Sequence, residues 1–194
     1  MSSEPVVAIT ETPRNRRQEE TFRKVLTAGV EMLRESSYAD LTVRAVAARA
    51  KVAPATAYTY FSSKNHLIAE VYLDLIRQVP YFTDVNDSLL TRVDKALRSM
   101  TLMLADEPEV AAACTTALLS NSDAAVRTVR DRIGAEIHKR ITSAIGPGAD
   151  ARKVSALEMT FFGALVNAGS GAFTYHQIAD RLSYVVGLVL GEDR

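Results

Sequence analysis

Apolar residues in this chain recur three and four positions apart and almost nowhere at every second position. Phe22, Val25, Leu26, Gly29, Val30 and Leu33 lie on one face of a 3.6-residue period. Val43, Val46, Ala47 and Ala50 repeat the pattern, as do Leu67, Ile68, Val71, Tyr72 and Leu75. Strand-type alternation is missing, so the spacing predicts an all-α fold. With 194 residues, 47% hydrophobic and 24% charged, the chain has the composition of a globular protein long enough for one fair-sized domain or two small ones sharing a core.

Proline, glycine and small polar residues divide the periodic stretches. Pro80, within "RQVPYFTDVNDS", predicts the end of a helix and a boundary between two parts of the chain. Residues 1–13 read as an arm, 14–79 as one domain and 80–194 as a second, larger helical one. In the second part the breaks at Asp106-Glu107-Pro108, Ser120-Asn121-Ser122, Gly146-Pro147-Gly148 and Gly169-Ser170-Gly171 predict helices near 87–105, 107–120, 122–145, 150–170 and 175–190.

The most informative stretch is "TVRAVAARAKVAPATAYTYFSSKNHL", Thr42 to Leu67. Ala45, Ala47, Ala48, Ala50, Ala53, Ala55 and Ala57 allow two short helices to approach across a tight turn. Thr42 can cap the first helix, Pro54 suits the first turn of the second, and Ser62 or Ser63 can cap the third. Helix, turn, short helix and longer helix is the helix-turn-helix plan, whose second helix enters the DNA major groove. In a helix that short the core needs only Ala57 and Phe61. Tyr58 and Tyr60 flank that stripe, where a phenol can rest its ring on protein and offer its hydroxyl to a phosphate. Charge agrees with an anion-facing end. Residues 14 to 64 hold ten Lys/Arg against five Asp/Glu, in a chain whose formal net charge is zero.

The order "LTVRAVAARAKVAPATAYTYFSSKNHLIAEVY" resembles the TetR family of bacterial transcriptional regulators over about residues 17 to 72. The matching positions are Thr42, Val43, Ala47, Ala50, Val52, Thr56, Tyr58, Tyr60, Phe61, Ser63, Lys64 and Leu67. The resemblance implies phosphate contacts by Thr42, Thr56, Tyr58, Tyr60 and Lys64, and base-edge contacts by Arg44, Pro54, Ala55 and Thr59. Arg44 is the candidate guanine reader, since its fork matches O6 and N7; a solvated helix residue is the plainer reading. Arg14, Arg16 and Arg17 are read either as an arm reaching backbone or minor groove or as a solvated tail. Three positions depart from the family pattern: Lys51 and Ala55 stand where it has glycines, and Ala53 where it has a serine cap. A left-handed Lys51 would cost on the order of 1 kcal/mol against glycine.

The C-terminal half carries expectations that come chiefly from the resemblance. The last two helices, through Ala164, Ala168, Leu182, Val185, Val186 and Val189, would form a four-helix bundle in a homodimer; an intramolecular helix pair is the other reading. Met100, Met103, Leu104, Cys114, Leu118, Ile137, Phe161 and Phe162, with Val110, Leu119 and Ile133, would line a pocket for a small apolar or amphipathic effector, or else be plain core. The expected function is a ligand-responsive regulator, by default a repressor that binds a palindromic double-stranded DNA operator as a dimer and is released by its effector. The alternative is a helical ligand-binding or adaptor protein with weakened DNA binding.

Other classes find little in the sequence. His66, His138 and His176 form no metal-ligand spacing, and Cys114, the one cysteine, has no nucleophile signature. No glycine occurs from residue 30 to 133, which removes any Gly-rich phosphate loop from that span. Neither an enzyme nor a cofactor is expected. With no apolar run of membrane-spanning length and no signal-peptide pattern at the start, a cytoplasmic location is expected, without a membrane partner.

Overall fold

The computed structural model describes residues 14–120 and 123–191. Among them every regular element is α-helical: α1 (Arg16–Glu35), α2 (Val43–Arg49), α3 (Pro54–Tyr60), α4 (Lys64–Gln78), α5 (Leu89–Leu102), α6 (Pro108–Leu118), α7 (Ala124–Ile145), α8 (Ala151–Gly169) and α9 (Tyr175–Leu190). The expected arm, 1–13, lies outside the described residues.

Local chemistry explains most of the boundaries. Asn15 and Gln18 form a reciprocal capping box that starts α1, and Thr174 with Gln177 repeats it at α9. Asp150 caps α8 and Ser88 caps α5. At the far end of α7, Gly146 takes φ 93° and ends the helix. Arg92 then donates to the carbonyls of Ala144 and Ile145, covering acceptors that the end of α7 would leave orphaned.

The helix α4 organises the rest. From Leu67 to Leu73 every residue is buried, so it is enclosed on all sides rather than amphipathic. It packs against α1 on one side and against α6 and α7 on the other. Two basic side chains fasten the surrounding elements. Arg140 of α7, 2% exposed, donates to the carbonyls of Arg77 and Val79 and to the Glu136 carboxylate. Arg34 of α1 donates to Glu107 at the start of α6. In the C-terminal half α5 packs on α9 and α7, and α8 packs on α9. The approach of α6 to α8 depends on Gly169, because a Cβ there would collide with the Thr115 side chain.

Candidate nucleic-acid interface and apolar cavity

The N-terminal corner is built from a small core. Phe61 and Ala57 are fully buried, and Phe61 stacks on Phe22 of α1 at 5.0 Å. Arg49 at the end of α2 makes a two-pronged pair with Glu35 at 2.6 Å and reaches Glu31 at 3.4 Å, which locks α2 onto α1. Between α2 and α3 the chain makes a Schellman turn. Val52 N–H donates to Ala47 C=O, Lys51 N–H donates to Ala48 C=O, and Lys51 takes φ 55°. Lys51 is the one non-glycine residue with positive φ among the described residues. The lysine at the family pattern's glycine position is therefore left-handed.

The exposed groups at this corner come from both helix starts. Thr42 caps α2 by accepting from Ala45 N–H at 3.1 Å, which leaves its hydroxyl proton free to donate. Arg44, Ala53, Pro54, Ala55 and Thr59 are exposed, Thr56 is half-buried, and Tyr58 stands out at 52% exposure. Ala53 contributes no side-chain cap, so the first amides of α3 keep no side-chain partner from it. Bare amides, a hydroxyl, a phenol and cations on one corner suit an anionic, ridged surface.

Other expected contacts are engaged within the chain. Lys64 donates to the carbonyls of Tyr38 at 3.1 Å and Ala39 at 3.4 Å and lies over the Tyr38 ring, so it ties α4 to the α1–α2 connection. Tyr60 is half-buried, with its ring edge-on to Phe22. Arg14 does not extend away from the domain: its guanidinium sits 3.6 Å over the Phe22 ring and pairs with Glu19. Arg16 and Arg17 are on no extended segment either. They form the exposed first turn of α1, where Arg16 pairs with Glu20.

Immediately beyond α3 the chain is tied to α7. Ser63 caps α4 by accepting from His66 N–H, and its hydroxyl donates to Asp123, the cap of α7. The Ser63 hydroxyl, then the amides of Ala125 and Val126, hold the Asp123 carboxyl below its usual range against the opposing effect of burial. His66 Nδ1 accepts from Ser62 N–H, which puts the ring proton on Nε2, 3.7 Å from Glu70. Glu70 is 4% exposed and meets Arg132 of α7 at 2.6 Å. Burial pushes the Glu70 carboxyl up, but His66 and Arg132 together outweigh it and hold it down.

A partly open cavity of about 270 Å³ lies on the far side of this junction. Tyr72 of α4, Cys114, Thr115 and Leu118 of α6, Ile133 of α7, Phe162 and Leu165 of α8 and Tyr175 of α9 contribute to its wall, with Arg130 and Asp131 among the lining residues. Of the expected lining residues Leu104, Cys114, Leu118, Leu119, Ile133 and Phe162 are in this wall. Met100, Ile137 and Phe161 are not: they are wholly buried in the solid core. Val110, also buried, and Met103, which packs against that core, likewise stand outside the wall. Tyr72, Thr115, Leu165, Val166 and Tyr175 escaped the sequence reading. Burial pushes the Cys114 thiol up to about 12, which keeps it a neutral, inert group rather than a nucleophile.

The last two helices sort differently from expectation. Ala168, Leu182 and Val186 are buried inside the chain, while Ala164, Val185 and Val189 are half-buried. The outward apolar groups are Met159 at 73% exposure, Phe162 and Val166 on α8, and Tyr184 at 70% and Leu188 at 65% on α9. Their spacing of three and four places each set on one helix face.

No described helix is long and apolar enough to cross a membrane, and no three described His, Cys, Asp or Glu side chains gather where a metal ion could be held. Residues 25–71 match the family of bacterial regulatory proteins, tetR family. HTH-type transcriptional regulators of Mycobacterium bovis and Mycobacterium tuberculosis are 75% identical to this chain over 178 residues, covering 91% of it and 84% of each relative. A TetR transcriptional regulator from Rhodococcus sp. RHA1 shares its fold at a TM-score of 0.78 and 22% identity, over 93% of this chain and 100% of that one. The TetR family transcriptional repressor FadR of Thermus thermophilus, solved in complex with lauroyl-CoA, follows at 0.67 and 12%, over 89% and 96%. The helix-turn-helix corner, the helical body behind it and the mycobacterial relatives agree: the chain belongs to the TetR family of bacterial transcriptional regulators.

Proposed function

We propose that this regulator is a homodimeric repressor that binds a palindromic operator and is released when a small, mostly apolar effector enters the cavity. Residues 14–79 act as the reader and residues 80–194 as the sensing and pairing part. The observation that carries the reading is the Ser63–Asp123 hydrogen bond. It joins the residue that starts α4, directly after the recognition helix, to the cap of the helix that contributes Ile133 to the cavity wall. An effector that shifts α7 therefore acts on the position of α3, and it lowers DNA affinity if it prefers the shifted state.

Pairing is supported by the outward apolar faces of α8 and α9. Large exposed side chains at helical spacing are costly to leave in water, and a two-fold axis would bury both copies at once. In this reading Met159, Phe162, Val166, Tyr184 and Leu188 carry the interface, flanked by Ala164, Val185 and Val189. Thr42, Thr56, Tyr58 and Tyr60 hold phosphates, and Arg44, Pro54, Ala55 and Thr59 meet base edges. Lys51 adds a cation beside them, while Lys64 and Arg14 act by bracing the corner. Arg16 and Arg17 remain available to the backbone.

The test is selection of duplex DNA from a random pool at fixed salt, with protein stripped of ligand by denaturation and refolding. An enriched palindrome, lost in Arg44→Ala and Tyr58→Ala while both variants stay folded and dimeric, is the expected result. A folded dimer that enriches nothing would overturn the reading in favour of a ligand-binding or adaptor protein.

A further inference from the structure

Tyr72 is the unexplained group in the cavity. It lies on α4, the helix that follows the recognition helix, and its residue is 3% exposed. Its hydroxyl oxygen is buried with no hydrogen-bond partner among the described residues. A buried hydroxyl left unpaired is costly, and most such groups in folded proteins find a partner. Two other polar side chains of the wall are already engaged. Thr115 donates to Ala111 C=O at 3.0 Å and Arg130 donates to Leu118 C=O at 3.1 Å.

We propose that the Tyr72 hydroxyl is the donor that recognises the effector, and that the effector is a small neutral molecule, mostly apolar, with one acceptor oxygen such as a ketone carbonyl. The proposal rests on the cavity being the effector site. Size and polarity set the ligand class. The cavity, about 270 Å³, is small for a ligand pocket and suits a compact molecule. Its wall is mostly apolar, through Leu118, Ile133, Phe162 and Leu165, and the two charged residues that also line it, Arg130 and Asp131, are of opposite sign. Burial raises both the Tyr72 phenol and the Cys114 thiol, so neither carries charge at neutral pH. A neutral donor in an apolar cavity rewards a neutral acceptor, whereas a carboxylate would enter at the cost of its hydration. Because Tyr72 belongs to α4, the same hydrogen bond would bias the helix that carries the reader.

The test compares Tyr72→Phe with the native protein, using two matched pairs as probes: acetophenone with ethylbenzene, and benzophenone with diphenylmethane. Calorimetry reads affinity and thermal unfolding reads stability. The native protein should prefer each ketone by about tenfold, and Tyr72→Phe should abolish that preference. Its unliganded melting temperature should hold or rise, since an unpaired hydroxyl is being removed. A lowered melting temperature would mean that the hydroxyl has a structural partner and would overturn the assignment. So would a ketone preference that survives in Tyr72→Phe, or benzoate binding as tightly as acetophenone. Binding of the hydrocarbons without ketone preference sinks only the role of Tyr72. Failure of every probe to bind sinks the effector cavity itself.

Discussion

Helices α3 and α4 follow one another in the chain and begin in opposite ways. Ala53 opens α3 with no side-chain cap and only Pro54 to favour the first turn. The turn before it holds Lys51 at φ 55°, where glycine would fit without strain. Ser63 opens α4 with a full cap, and its hydroxyl also reaches the cap of α7. Behind it His66 and Arg132 form a polar cluster around the buried Glu70. The recognition helix is thus held by its core, Ala57 and Phe61, and leaves its amides and turn open. The helix behind it is held by polar bonds to α7. Open polar groups are kept at the start of α3, and polar bonds to the rest of the fold are concentrated at the start of α4.

The contrast can be broken most severely at Arg132. Arg132→Ala leaves Glu70 buried without its guanidinium and should cost about 3 kcal/mol, read as a fall in melting temperature. Glu70→Gln combined with Arg132→Met should recover most of that loss, because no charge is then stranded. The same carboxylate sets an acid limit. Its folded pKa lies below the ordinary 4.5, so the stability it contributes is complete above that value and is lost as pH falls through the lowered one. Melting temperature followed from neutral pH into acid should lose part of its slope in Glu70→Gln.

Changes at the two caps should have opposite signs. Ser63→Ala removes a cap and the link to Asp123, at about 1–2 kcal/mol. Ala53→Ser supplies a cap to α3 and should stabilise by about 1 kcal/mol. If both destabilise, the uncapped start of α3 has been misread. Lys51→Gly should stabilise by up to about 1 kcal/mol while weakening DNA binding and reducing the salt slope by about 1. Arg44→Ala has the smallest effect on stability, within about 0.5 kcal/mol, yet should relax specificity at one base by about 1–3 kcal/mol. Chemical denaturation and binding over a salt series read both quantities in one set of variants.

The reader was largely legible because its signals are local. Thr42, Pro54 and Ser63 announce helix starts from their own chemistry, whereas the left-handed turn is marked only by Lys51 standing where the family pattern has glycine. The cavity was half legible, since its wall draws on five helices and the apolar period is the same for a wall residue as for a core one. Met100 and Leu104 lie one turn apart on the same stripe; the first is solid core and the second faces the cavity. Tyr72 looked like one more core position. On α8 and α9 the apolar residues cover more than one face, so periodicity could not tell inward Leu182 and Val186 from outward Tyr184 and Leu188. Only the partners of each face make that distinction.

The Ser63 hydroxyl has one hydrogen, given to Asp123, and it accepts from His66 N–H. The first turns of α4 and α7 are far apart in sequence but cannot fray independently without stranding one of these partners. They are therefore expected to open together. In hydrogen–deuterium exchange, the amide of His66 and those of Ala125 and Val126 should gain and lose protection together.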